Sequence, residues 1–449
     1  MRSGWAVLVV ATWGAGCGGQ IGAGDGTDVA AEKAANTLTT PDATGQSSTT
    51  SSTAIDFSSG NDFFHVFGTN GRTCGTCHKA DQGWSFTPAA ASALPASDPI
   101  FLLDGSNCFA PGQPNPNPAA NSTALLRNGL IRVEIAIPAN ADYQLVGYTD
   151  PLHCPSSPLT TGTLRMYRRP LPSANSAFLT TVMWDGREPS LSSQANDATL
   201  GHAQATAALS DTQRNSIVAF EADTYNGQAS VGSLKLSTGG ANGGSAYLLS
   251  TVVPGFFPGI NDSLSSGFSP IVFTLFAKWE PGTANVAPQS AASASIGRGE
   301  ALFNSRTFTI SGVRGLNGGP APASFSGTCG TCHDTPNVGN HSLPLALDIG
   351  VTAPSPAGLD VSLLPTYTFR SGSQQITLTD PGRGLITGKF ADLGKTKGPI
   401  LRGLAARAPY FHNGSARDLA TLVDFYDARF GIGLSSSEKA DLVAFLGAL

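Results

Sequence analysis

The sequence predicts a mainly α fold of two domains joined by long loops, and three observations carry that prediction. One pentapeptide, Cys-Gly-Thr-Cys-His, stands at 74–78 and again at 329–333, near either end of the folded region. Helix signals cluster around and after both copies: Ser210-x-x-Gln213 opens a helix through Phe220, and Ser435-x-x-Glu438 opens a terminal helix bearing Leu442, Phe445, Leu446 and Leu449. Gly (53) and Pro (30) make up 83 of the 449 residues, which calls for many loops, while 41% hydrophobic content still supplies cores for two or three domains. With 31 acidic against 26 basic residues the net charge is −5, so the chain lacks the basic face that a nucleic-acid partner requires.

Taken in chain order, Met1-Arg2, the apolar stretch Trp5 to Trp13 and the small residues into Cys17 form a secretory signal, 1–17, so the chain is expected in the periplasm. Two readings of Cys17 stay open: a lipobox cysteine that anchors the chain to the outer membrane, or a plain secretion signal, since Gly14 stands where a lipobox has a branched residue. No apolar run of about 20 residues follows, so a lipid is the only membrane attachment expected. Residues 18–56 read as a polar linker, because 11 of the 17 residues from Thr37 to Thr53 are Ser or Thr. An N-terminal domain, 57–285, follows, with an irregular, partly β insertion at about 98–172 that holds strand-like runs at Leu130–Ile137 and Tyr143–Tyr148. The boundary falls within Pro281 to Pro288, and Ser293 to Phe303 opens the C-terminal domain, 286–449, which has its own loop-rich piece from Val338 to Leu385.

The repeated pentapeptide carries the chemistry. C-x-x-C-H is the attachment pattern of haem c: Cys74 and Cys77, like Cys329 and Cys332, are spaced to meet both vinyl groups of one porphyrin, and His78 and His333 offer an imidazole to the iron. Zinc half-sites would need a second cysteine pair near each motif, and none exists. Two covalently bound haems are therefore the expected cofactors. The remaining pair, Cys108 and Cys154, is expected to form a disulfide in an oxidising compartment, worth about 4 kcal/mol for a loop of this length.

The sixth ligand decides whether a haem carries electrons or does chemistry. Beyond the signal only Met166 and Met183 offer a thioether, and the unspent histidines are His65, His153, His202, His341 and His412. Leu419, Leu422, Val423 and Tyr426 recur at i, i+3, i+4 and i+7, which puts the phenol on the buried face of a helix, as a core residue or as an anionic ligand.

At this point the residues carry a resemblance. The run GPILRGLAARAPYFHNGSARDLATLVDFYDARFG, the segment MWDGREPSLSSQA at Met183 to Ala195 and the two haem motifs are similar to the bacterial dihaem cytochrome c peroxidase and MauG family. The resemblance implies a reactive haem on His78, a relay haem on His333 and Trp184 between them. It puts Gln194 in the distal pocket and Gln204 where the family has a catalytic glutamate; Tyr426 stands at the place of the second haem's distal ligand, with His412 as the alternative. An amide has no useful pKa, so Gln204 cannot act as the acid, and His202, two residues away, either substitutes or is structural. No His lies between His78 and His153, so the first iron is open unless His153 caps it. The family's bridging calcium, held mainly by backbone and water oxygens, would draw on residues such as Pro409. The resemblance implies an oxidoreductase that takes hydrogen peroxide or dioxygen and a small redox protein as donor or acceptor. The alternatives are an electron-transfer cytochrome without catalysis, or a dihaem oxygenase on an unknown substrate.

Overall fold

The computed structural model describes residues 36–108, 117–282 and 290–449. The signal segment with Cys17, residues 18–35 and most of the Pro281–Pro288 boundary lie outside them. Among the described residues, five helices of eleven residues or more organise the fold: α1 (Leu191–Gly201), α2 (Asp211–Ala222), α3 (Ala291–Ser305), α4 (Leu419–Phe430) and α5 (Ser436–Gly447). Their starts follow from local chemistry. Ser210 and Gln213 close a capping box on α2, Ser435 and Glu438 close one on α5, and the Asp418 side chain accepts from Thr421 N at the start of α4. Gly431, at φ +59°, ends α4 in the left-handed conformation that a β-carbon disfavours.

Helix α3 crosses α5 closely enough that a β-carbon on Gly299 would sit 2.0 Å from Asp441 O. Asp441 in turn accepts from Ser295 and from both arms of Arg298. Around this crossing Phe273, Phe276, Trp279, Phe303 and Phe445 form the main core. No helix among the described residues is long and apolar enough to cross a membrane.

Mainly α is too simple a description, because helix accounts for 30% and strand for 18%. Much of that strand comes from places where the sequence reading expected something else. The Ser/Thr-rich stretch is no free linker from Thr37 on: strands Thr37–Pro41 and Gly45–Thr50 pair with each other, and the second pairs with Tyr225–Val231 in an antiparallel four-stranded sheet. Ser47 to Ser51 are buried. Their hydroxyls find partners inside: Thr50 Oγ1 lies 2.7 Å from Ser245 Oγ, Trp84 Nε1 donates to Thr49 Oγ1 at 2.9 Å, and Asn226 Nδ2 donates to Ser47 Oγ and Thr49 Oγ1. Small side chains whose polar atoms are all bonded can be buried as apolar ones are.

The insertion also departs from expectation. Its two strand-like runs do form strands, Ile131–Ala136 and Gln144–Thr149, but the second pairs with Thr366–Ser371 from the loop-rich piece of the C-terminal half. Tyr143, Leu164 and Met166 share a core with Tyr367, Phe369 and Leu378. The insertion thus belongs to both halves of the chain, since each contributes one face too small to bury its apolar residues alone. Cys108 and Cys154 are joined, with Cα atoms 5.4 Å apart.

Candidate functional site

The two pentapeptides fold alike, and their intervening residues explain why both are spelled the same way. Cys74–Cys77 forms one helical turn and Cys329–Thr331 a 3-10 turn. Thr76 Oγ1 accepts from Thr73 N, and Thr331 Oγ1 from Thr328 N, each at 3.0 Å. A β-carbon on Gly75 would meet Phe64 Cδ1 at 2.6 Å, and one on Gly330 would meet Val272 Cγ2 at 2.8 Å, so only glycine fits the second position. His78 N and His333 N each bond the first cysteine's carbonyl at 3.1 Å.

Each histidine then turns the same way. His78 Nδ1 lies 3.1 Å from Trp84 O, and His333 Nδ1 lies 2.7 Å from Gly339 O. A carbonyl only accepts, so Nδ1 is the protonated nitrogen in both, and Nε2 keeps its lone pair for a metal. Phe63 and Phe303 stand at equivalent places, with ring centroids 6.2 Å from His78 and from His333. Burial pushes Cys77 up to about 11 and Cys329 and Cys332 up to about 12, so these thiols stay protonated at neutral pH.

A cavity opens at each motif. Cys74, Cys77 and His78 line the first; Cys329, Cys332 and His333 line the second. Trp184 lines both, as do Arg169 and Pro170. Trp184 is held rigidly: its Nε1 donates to Arg169 O at 2.8 Å and its carbonyl accepts from Lys397 N at 2.9 Å. The adjoining turn is fixed by Asp185, which is wholly buried between Arg168 and Arg187.

The walls suit a flat, largely apolar group with anionic edges. Arg169, Arg407 and Lys397 are buried in the wall of the second cavity, and none of them forms an ion pair among the described residues. Arg407 Nε is buried with no hydrogen-bond partner among the described residues, and burial pushes the Lys397 amine down to about 7 and the Arg407 guanidinium down to about 10. Cations desolvated in this way call for an anion, and the two propionates of a porphyrin would supply one. The thiol pairs, the open Nε2 atoms and these cations therefore fit haem. Among the described residues no three His, Cys, Asp or Glu side chains gather as a metal group of another kind.

The structure brings together most of the expected site residues. Gln194 and His202 line the first cavity with Trp184. Tyr426 and His412 both line the second. The Tyr426 hydroxyl makes no hydrogen bond among the described residues, and burial, with the thiols of Cys332 and Cys329 beside it, pushes its pKa up. His412 has its ring 6.1 Å from Trp184 and its Nε2 3.7 Å from Asp380 Oδ2; burial pulls it down to about 4.

Two readings, of Gln204 and His153, are corrected. Gln204 does not face the first cavity: α1 ends at Gly201, the chain turns through a left-handed φ of +57° at Gln204, its carbonyl accepts from Thr69, and its side chain is exposed. His153 is exposed and lines neither cavity, so it does not cap the first site. Met166 is buried in the insertion core, away from both cavities.

Two residues went unnoticed in the sequence. Glu221 lines the first cavity, buried, with Oε2 unpartnered among the described residues, and desolvation alone pushes its carboxyl up to about 8. A signal for it existed, since Glu221 lies four residues after Ile217 on the buried face of α2. Asp104 lines the same cavity and bonds His202, but nothing local marks it.

No protein-family model matches the chain. Part of it is 46% identical over 78 residues to cytochrome-c peroxidase IdrP2 of Denitromonas iodatirespirans, covering 16% of this chain and 21% of that protein. A second part is 33% identical over 149 residues to cytochrome-c peroxidase IdrP1 of Pseudomonas sp. (strain SCT), covering 28% of this chain and 38% of that one. The matched stretches thus span well under half of these relatives. A solved structure described as a MauG-like protein associated with microbial copper homeostasis aligns over 87% of this chain and 89% of its own, at 14% identity and a TM-score of 0.40, too distant a likeness to build on. By sequence, then, two stretches of the chain are similar to proteins named cytochrome-c peroxidases.

Proposed function

We propose that the chain is an exported dihaem c-type oxidoreductase that reacts with hydrogen peroxide at a haem on His78 and exchanges electrons through a second haem on His333. The observation that carries this reading is the shared wall: Trp184 lines both cavities, so one indole stands between two sites built on identical motifs. The relatives named as peroxidases favour peroxide over dioxygen. Bound through Cys74 and Cys77 and through Cys329 and Cys332, haem supplies the redox chemistry of both sites.

The chain's own residues do the rest. His78 and His333 present Nε2 because Trp84 and Gly339 hold their other nitrogen. Arg169, Arg407 and Lys397 anchor the anionic edge in the second cavity. Tyr426, whose hydroxyl has no hydrogen-bond partner among the described residues, would be the side chain of this cavity free to hold the second haem's iron together with His333, while His412 packs beside Trp184. A small redox protein from the same compartment delivers the electrons. The two halves of the chain each carry one haem.

Whole-protein mass spectrometry after maturation in a periplasm competent for haem c tests the cofactor assignment. Two covalent haems are expected, one lost in the Cys74→Ala/Cys77→Ala double variant and the other in Cys329→Ala/Cys332→Ala. A chain without covalent haem would sink the proposal.

A further inference from the structure

Gln204 is turned to solvent, so the proton transfer that peroxide cleavage calls for falls to other residues of the first cavity. Resting on the reading of the His78 site as the reactive one, we propose that His202 is its proton-transfer residue, with Asp104 and Arg72 as the positioning residues that aim it. All three line the first cavity. His202 Nδ1 lies 2.5 Å from Asp104 Oδ2, and Arg72 Nη1 donates to the same oxygen at 3.0 Å. An ionised carboxylate only accepts, so Nδ1 carries a proton and Nε2, which has no partner among the described residues, is the nitrogen left for the cavity.

Both sides of this pair are fixed by the fold. Arg72 is buried, and its guanidinium also donates to Pro99 O at 2.8 Å, to Ile100 O at 3.1 Å and to Leu102 O. Those bonds gather the loop into a tight turn in which Leu103 takes a left-handed φ of +46° immediately before Asp104. Gly105 closes the turn so tightly that a β-carbon there would lie 1.7 Å from Ile100 O. A branched side chain held at positive φ is strained, and the surrounding bonds keep it there. On the other side, Asn70 Nδ2 donates to His202 O at 2.8 Å, pinning the end of α1. Burial raises the Asp104 carboxyl, but the His202 bond and charge, then Arg72 and Arg132, outweigh it and hold Asp104 below the ordinary carboxylate range. The other titratable or charged groups lining this cavity are His65, Cys74, Cys77, His78 and Glu221 and the guanidinium groups of Arg168, Arg169 and Arg187.

The overall reaction, H2O2 + 2 e− + 2 H+ → 2 H2O, takes its electrons from the external donor and its protons from solvent. His202 only passes protons: Nε2 accepts one from peroxide on binding and returns it to the departing oxygen as the O–O bond breaks. A positioned acid–base group of this kind contributes roughly 100- to 10,000-fold to rate.

The test uses the haem-loaded full chain and the variants His202→Ala, Asp104→Asn and Asp104→Glu, with two readouts. Binding of hydrogen cyanide to the ferric protein also needs a base in the cavity to take a proton, and it does not depend on turnover. His202→Ala and Asp104→Asn are each expected to slow both cyanide association and peroxide consumption by at least 10-fold, with partial recovery in Asp104→Glu and no change in the ferric EPR spectrum. Slower cyanide binding in a protein whose wild type does not consume peroxide would uphold the proton role and defeat the peroxidase reading. Unchanged cyanide rates in His202→Ala overturn the proposal. So does a wild-type low-spin haem that turns high-spin in His202→Ala, because His202 would then be an iron ligand, and so does a low-spin haem that neither variant opens to cyanide.

Discussion

Glu221 is a carboxyl on the apolar face of α2, four residues after Ile217, with one oxygen facing the first cavity unpaired. Desolvation raises its pKa from 4.5 to about 8. A group raised on folding binds more protons in the native state between those two values. Its stabilising protonation is therefore fully present below about 4.5 and is lost as the pH rises through about 8. The expected consequence is a wild-type melting temperature that declines between pH 5 and pH 9. Glu221→Gln, which keeps the shape and cannot ionise, should remove a share of that decline on the order of a few kcal/mol. Thermal melts of the two proteins across that range check it; parallel curves would mean that Glu221 ionises freely. The same residue marks a limit of reading sequence for sites. His78, His333 and the four motif cysteines are legible because their chemistry demands a fixed local spacing. Asp104 meets His202 across 98 positions, and no local pattern encodes that meeting.

At the scale of elements, the polar strand Gly45–Thr50 is where sequence reasoning went furthest astray. Capping boxes at Ser210 and Ser435, the face of α4 and the two strands of the insertion were all legible, because each follows from neighbours within a turn or from a two-residue alternation. A run of Ser and Thr has no apolar alternation to read. Its burial rests on partners from distant segments: Trp84, Asn226 and Ser245. Gly45 completes the fit, since a β-carbon there would lie 2.2 Å from Ser230 O. Thr49→Val keeps the volume and deletes the acceptor that Trp84 Nε1 uses at 2.9 Å. Leaving that buried donor unsatisfied should cost about 1–3 kcal/mol in denaturant unfolding. A neutral substitution would show that the strand contributes nothing to the fold of the first site. The same blindness hid the pairing of Gln144–Thr149 with Thr366–Ser371, whose register spans the two halves of the chain.

Across the whole molecule, one clamp ties these pieces to the wall between the cavities. Arg168 ends a strand of the insertion and, fully buried, bonds Asp185 beside Trp184 at 2.5 Å and Asp380 of the C-terminal half at 2.7 and 2.9 Å. Its guanidinium is pushed up in pKa because, although burial opposes the charge, Asp380 and Asp185 stabilise it more, so the cluster stays ionised and rigid. Trp184, which lines both cavities, packs against the His412 ring, whose Nε2 lies 3.7 Å from Asp380. Two alike cradles around one indole support the proposed arrangement of an open reactive site at His78, a closed relay site at His333 and a path between them. Low-temperature EPR of the ferric, haem-loaded protein, recorded before and after hydrogen peroxide, tests it most directly. One high-spin and one low-spin signal are expected, with the high-spin signal lost on adding peroxide. Two low-spin signals that peroxide leaves unmoved would contradict it and make the protein an electron carrier.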